Sequence, residues 1–264
     1  MVRKFCKKCL MLMLMAAVCV GCQWQLKAAS QQADGLQVSI QRYDRIEALY
    51  LTTGDYSAMQ QLNTYFPTET RMLIEDVLKL GHVDDTSINT RFLYFFQDST
   101  LQRMLSDVQQ QYSNMDDLNE QLSEAFERMH KQLPDMDLPQ VYAQIGSFDQ
   151  SIVVSGGSLG VSLDKYLGSD YPFYVSHYSE EQRRLMTRDM IVPDCLAFYI
   201  LSHYPLPAKS QQSDRDEHMG RIQWVVNQLT QRRVFASRHV DAVRQYMERH
   251  PGLPYDSLLQ QIAM

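Results

Sequence analysis

Two cysteine pairs and a scatter of histidines are the first residues in this chain whose spacing could do chemistry. Cys6-x-x-Cys9 and Cys19-x-x-Cys22 have the pair spacing of a tetrahedral zinc site. The stretch between the pairs reads LMLMLMAAV, with neither turn residues nor a polar group to orient a thiolate, so the spacing belongs to an apolar run rather than a ribbon. A metallopeptidase helix would need two His at i and i+4 with a Glu between them as base. The seven His stand at 82, 130, 177, 203, 218, 239 and 250, and no two are four apart. Asp194, Cys195 and His203 fall on one expected helix. Asp194 and His203 are nine residues apart there, about 13 Å along the axis, too far to share an ion. The expectation is a chain without metal or cofactor.

Nucleophiles fare no better. Gly157-Ser158-Leu159-Gly160 misses the Gly-x-Ser-x-Gly elbow by one residue. Cys195 keeps company with Leu196, Phe198 and Tyr199, which suits a buried structural thiol. Ser155-Gly156-Gly157-Ser158 lacks the spacing of a phosphate loop and reads as a hairpin turn. The densest polar cluster is Asp164, Lys165 and Tyr166. With Asp170, Tyr174 and Asp194 it forms the candidate binding surface, in which Leu163 and Leu167 anchor the chain while Lys165 and Tyr166 point outward. The plainer alternatives are a strand-end cap and ion pair for Asp164-Lys165, and for Asp194 a carboxylate stabilised by its helix dipole.

The first 22 residues carry an address. Arg3, Lys4, Lys7 and Lys8 precede the apolar run Leu10 to Val20, and Gly21-Cys22 closes it. That run has the length of a signal-peptide core and is too short to span a bilayer. The expectation is a lipoprotein signal over residues 1–21, with Cys22 lipidated and residues 22–37 as a flexible tether. Cys19 stands where Leu is commonest in such signals. Burial of acyl methylenes at about 0.8 kcal/mol each makes two or more chains a stable anchor. No acidic cluster follows Cys22, which favours a periplasmic face of the outer or inner membrane. With the signal removed, 25 minus 4 Lys+Arg stand against 31 Asp+Glu, a net charge of −10. Nucleic acid is an unsuitable partner for so acidic a chain.

The elements expected to position these groups are mostly helical. Three-to-four spacing of apolar residues predicts helices between Val38 and Leu133, punctuated by Gly54, Pro67 and Gly81, with Thr68 a cap and Gly81 a C-terminal stop. Strands follow: Val141, Ala143 and Ile145 alternate, Ile152-Val153-Val154 is β-branched, and Leu159, Val161 and Leu163 alternate again. Helices resume over residues 180–186, 189–204, 214–231, 237–250 and 254–262. The fold class is α+β: a mainly helical single domain over 38–264 with a small antiparallel or mixed sheet. Its Tyr residues, 15 in all, are expected as half-buried rings with wet hydroxyls.

Three segments carry a family resemblance: Arg42-Tyr43-Asp44, the run SLGVSLDKYLGSDYPFY from Ser158 to Tyr174, and RDMIVPDCLAFYIL from Arg188 to Leu201. Over roughly residues 38–230 the chain resembles the gliding-motility lipoprotein B family (GldB) of Bacteroidetes. The resemblance implies a non-catalytic, membrane-anchored envelope lipoprotein that binds an envelope protein partner in a motility- or secretion-associated assembly. It also implies a degenerate zinc-metallopeptidase-like fold. Two alternatives stand beside it: a hydrolase of that fold with an unrecognised active site, and a periplasmic binding protein for a small envelope ligand.

Overall fold

The chain closes its first described helix where a left-handed residue is needed. Helix α1 (Tyr43–Thr53) ends on Gly54 at φ 70°, whose N–H donates to the Tyr50 carbonyl. The computed structural model describes residues 37–261; the expected signal, Cys22 and nearly all of the tether lie outside them. Asp55 then caps α2 (Tyr56–Tyr65) by accepting from the Ser57 N–H at 2.8 Å. Pro67, not Thr68, begins α3 (Pro67–Met72), where a missing N–H costs nothing. The next turn widens into a π-helical stretch over Leu73–Val77. Lys79 then takes φ 54°, so this helix stops short of Gly81. Helices α4 (Ile88–Phe95), α5 (Ser99–Gln111) and α6 (Asp116–Gln132) follow, within the stretch the apolar spacing predicts as helical.

The sheet is mixed. Strands β1 (Gln140–Gln144), β2 (Ile152–Ser155) and β3 (Ser158–Ser162) stand in the order β1-β3-β2, with β3 parallel to β1 and antiparallel to β2. Gly156 at φ 55° and Gly157 at φ 82° make the β2–β3 turn, as the SGGS reading requires. Gln41 extends the other edge by pairing with Tyr142, in a stretch the periodicity assigned to helix. Val141 to Gln144 are all buried, so β1 is covered on both faces. Across the β1–β3 register Tyr142 opposes Gly160, and a Cβ on Gly160 would fall 2.6 Å from the ring carbon bearing the Tyr142 hydroxyl. The tyrosine ring occupies the space the glycine leaves.

After the sheet, a 3₁₀ turn (Leu163–Lys165) leads to the short α7 (Pro172–His177), unanticipated from sequence, and to α8 (Glu180–Arg183). A second 3₁₀ turn (Arg188–Met190) enters α9 (Ile191–His203), which packs on β2 and β3 while α1 packs on β1. Helices α10 (Gln212–Thr230), α11 (Arg238–Arg249) and α12 (Tyr255–Leu259) complete the described chain. A Cβ on Gly220 would meet the His239 Cβ at 2.6 Å, so glycine there lets α10 and α11 approach closely. Mainly helical α+β architecture with a small mixed sheet is the result.

Tyrosines serve as internal ties more than as wet surface. Tyr43, Tyr112, Tyr142, Tyr166, Tyr174 and Tyr199 are fully buried. The hydroxyls of Tyr50, Tyr112 and Tyr199 donate to backbone carbonyls far along the chain, and that of Tyr174 to the nearer Asp164 carbonyl. Buried aromatic area and a satisfied hydroxyl are gained together this way. The half-buried expectation holds for residues such as Tyr171 and Tyr178 and fails for these six.

Candidate functional site

The LDKYLG block folds inward. Leu163 is fully buried and Leu167 nearly so, which places the β3 exit against the core. Asp164 follows them in: it is fully buried, and its two carboxylate oxygens accept from the Gly146 N–H at 2.6 Å and the Phe148 N–H at 2.5 Å. Those donors belong to the loop after β1, in which Ser147 and Phe148 take φ 51° and 66°. Neither residue favours that region, and the carboxylate holds them there. Burial nevertheless outweighs the two N–H bonds and pushes the Asp164 carboxyl above its ordinary value.

Lys165 bends back over the same loop. Its ammonium donates to the Phe148 carbonyl at 3.1 Å and to the Tyr178 hydroxyl at 3.1 Å, and lies 4.6 Å from the centre of the Tyr178 ring. It is half-buried. Tyr166 departs furthest from expectation: it is 1 % exposed, and its hydroxyl donates to Asp194 Oδ2 at 2.8 Å. Its carbonyl accepts from the Tyr112 hydroxyl at 2.6 Å. The Tyr174 hydroxyl donates to the Asp164 carbonyl and accepts from the Leu167 N–H. Outward projection of Lys165 and Tyr166 is therefore corrected: the Phe148 carbonyl and Tyr178 hydroxyl draw Lys165 back over the loop, and the Asp194 carboxylate draws Tyr166 inward.

Asp194 and Asp170 differ in the same way. Asp170 is 96 % exposed and stands 3.8 Å from Arg183 Nη1. Asp194 sits in the first turn of α9, where the dipole would lower its pKa. Burial is stronger, and the carboxyl is pushed up to about 6, with the Tyr166 hydrogen bond opposing. Cys195 beside it is buried and its thiol is pushed up, as suits a structural cysteine. His203 is exposed and bonds the Tyr199 carbonyl, away from Asp194.

The structure thus brings Asp164, Lys165, Tyr166, Tyr174 and Asp194 into one connected network, with Asp170 outside it. The blocks around LDKYLG and IVPD meet through Tyr166 and Asp194. Arg188 reinforces that junction by forking onto Asp117 at 3.0 and 2.6 Å and lying 4.9 Å over the Tyr112 ring. The third block closes on itself: Arg42 forks onto the fully buried Asp44 with two bonds of 2.8 Å. One participant escaped the sequence reading. Glu47, one turn after Asp44, is fully buried and accepts from the Ile145 N–H at 2.9 Å, so two carboxylates grip the same loop. A charged residue three after Asp44 on an otherwise apolar helix face was the available signal. Burial and the neighbouring Asp164 and Asp44 raise the Glu47 carboxyl well above the ordinary range.

These shifts set a pH dependence. A carboxyl raised from about 3.9 unfolded to about 6 folded binds its proton more tightly in the native state. The stability it contributes is fully present below the unfolded value and is lost as pH rises through the folded one. Asp194→Asn removes that loss, at most about 2–3 kcal/mol, while Glu47 and Asp164 keep the same sign of slope. Thermal melts between pH 4 and 7 should therefore fall less steeply for Asp194→Asn than for the wild type. An identical slope in both would contradict this account of Asp194.

A protein-family model described as gliding motility protein GldB matches residues 23–232, which takes in all three blocks. No curated protein and no solved structure matches the chain, so the likeness to a metallopeptidase fold finds no support there.

Proposed function

The chain belongs to the gliding motility protein GldB family, and from that premise we propose that it is a lipid-anchored, non-catalytic envelope lipoprotein that binds a protein partner in a motility- or secretion-associated assembly. Its association with gliding motility and the cell envelope follows from the family. The non-catalytic part rests on one observation: in the network around Asp164, the polar side chains already bind the chain's own backbone or one another. Asp164 is committed to two loop N–H groups, Tyr174 to the Asp164 carbonyl, and Tyr166 to Asp194. A general base or nucleophile must reach a substrate; groups engaged this way hold a scaffold in shape.

Anchoring is assigned to lipid on Cys22, with the folded part following a tether on the periplasmic face. No helix among the described residues is long and apolar enough to cross a membrane. Metabolic labelling with palmitate tests the anchor. The wild type should incorporate label, and Cys22→Ala should lose it and leave the membrane fraction or remain uncleaved. Label retained by Cys22→Ala would exclude this site of attachment.

A further inference from the structure

An arginine-lined cavity lies between α10 and α11. Its construction begins with Asn227. The Asn227 side-chain oxygen accepts from the Val234 and Phe235 N–H groups at 2.9 Å each, and its amide donates to the Phe235 carbonyl at 2.8 Å. Gln231, at φ 54°, reverses the chain at the end of α10. This clamped turn carries Arg232 and Arg233 into the lining of a cavity of about 520 Å³, with Trp224 on α10 and Arg244 on α11 as further walls.

Charge in the lining is unbalanced. Three guanidiniums and one carboxylate, Asp241, are among the lining residues. Arg233 Nη2 and Arg244 Nη2 both approach the same oxygen, Asp241 Oδ1, at 3.1 Å. The closest carboxylate to Arg232 is Asp189, at 4.0 Å. Each guanidinium has five N–H donors, so most of them are unspent within the described residues. Arg221, one turn before Trp224 on the same helix, lies outside the lining; it is fully buried and none of its three nitrogens has a partner among the described residues. This concentration of positive charge occurs in a chain whose net charge is −6.

Arg232, Arg233 and Arg244, each at least half exposed, border a concave space large enough for a small ligand, with Trp224 in its lining. Guanidinium forks match the geometry of phosphate oxygens. We propose that this cavity binds a phosphate group, carried either by a soluble ester or by an anionic lipid headgroup. Arg233 and Arg244 would exchange their shared bond to Asp241 for the phosphate oxygens, with Arg232 closing the third side. None of these residues belongs to the network around Asp164, so the inference stands apart from protein-partner binding.

The test uses the full chain in detergent with Trp24→Phe, which leaves Trp224 as the single tryptophan of the original 2. Inorganic phosphate, phosphatidylglycerol vesicles and phosphatidylcholine vesicles are titrated separately at constant ionic strength. A saturable change in Trp224 fluorescence is expected with inorganic phosphate or with phosphatidylglycerol vesicles, absent with chloride or phosphatidylcholine. A response to phosphate assigns a soluble ester, and one confined to phosphatidylglycerol assigns a headgroup. Arg233→Gln/Arg244→Gln should weaken the response at least tenfold at an unchanged melting temperature. Where that pair lowers the melting temperature, Arg232→Gln serves in its place. No saturable response to either probe, or an undiminished response in the arginine variants, overturns the proposal.

Discussion

Asp164→Ala should be the most damaging single substitution in the LDKYLG block, lowering stability by roughly 3–5 kcal/mol. It strands the Gly146 and Phe148 N–H groups, and each buried unsatisfied donor costs about 1–3 kcal/mol. It also releases Ser147 and Phe148 from left-handed conformations, so the loop that receives Lys165 relaxes. Removing a buried carboxylate relieves some desolvation, which offsets part of the loss. Asp164→Asn discriminates between explanations. It is nearly isosteric, yet it presents only one acceptor and turns an NH₂ towards the second N–H, so it should rescue little. Urea unfolding measures both variants; a wild-type midpoint for Asp164→Asn would mean that the two N–H bonds do not fix the loop.

Gly160→Ala comes next, with an expected loss of about 1–3 kcal/mol from overpacking. The added methyl would lie 2.6 Å from the Tyr142 ring, and Tyr142 is fully enclosed by Tyr43, whose ring centre is 6.0 Å away, and by the surrounding core. Tyr142→Leu shortens the offending side chain at its own cost in lost contacts. Because the two positions share one space, the double variant should be more stable than the sum of the single losses predicts. Strict additivity in denaturant melts would show that the ring is free to move away and that glycine is not required by it.

Much of the fold was legible because it rests on local chemistry. The β2–β3 turn needs two positive φ angles, and Gly156-Gly157 announces them. Gly54 and Asp55 mark a helix end and the next helix start in adjacent positions. Less legible was the strand order. Alternation in β1 and β3 identifies faces, but nothing in it tells that β3 lies centrally and runs parallel to β1. Nor does Tyr-Pro-Phe-Tyr announce α7, because six residues are too few to show a helical period. Thr68 looked like a cap, yet Pro67 already fits the first helical position.

Of the candidate residues, the proximity of all but Asp170 was legible, and the direction of their side chains was not. Asp164, Lys165, Tyr166 and Asp194 were identified from clustering and motif, and they do belong together. Their polarity suggested an outward face, whereas Asp164 and Lys165 bond backbone groups of the loop at Ser147 and Phe148, and Tyr166 and Asp194 bond each other, partners that meet only once the chain has folded. Non-glycine residues with positive φ leave no mark in a sequence. Glu47 and Arg221 were missed for a related reason: a charged residue on a helix reads as solvent-facing until the fold closes over it.

Partner capture tests the central claim most directly. The native lipoprotein would be cross-linked in intact cells, recovered from membranes and compared with Asp170→Ala, whose side chain is 96 % exposed, and with half-buried Lys165→Ala. A reproducible envelope protein should co-purify with the wild type at near-stoichiometric yield, and its recovery should fall in a surface variant whose melting temperature is unchanged. Recovery of no partner, together with hydrolysis of a peptide substrate that Asp194→Asn abolishes without unfolding the protein, would contradict the account and make the Tyr166–Asp194 network a reaction centre.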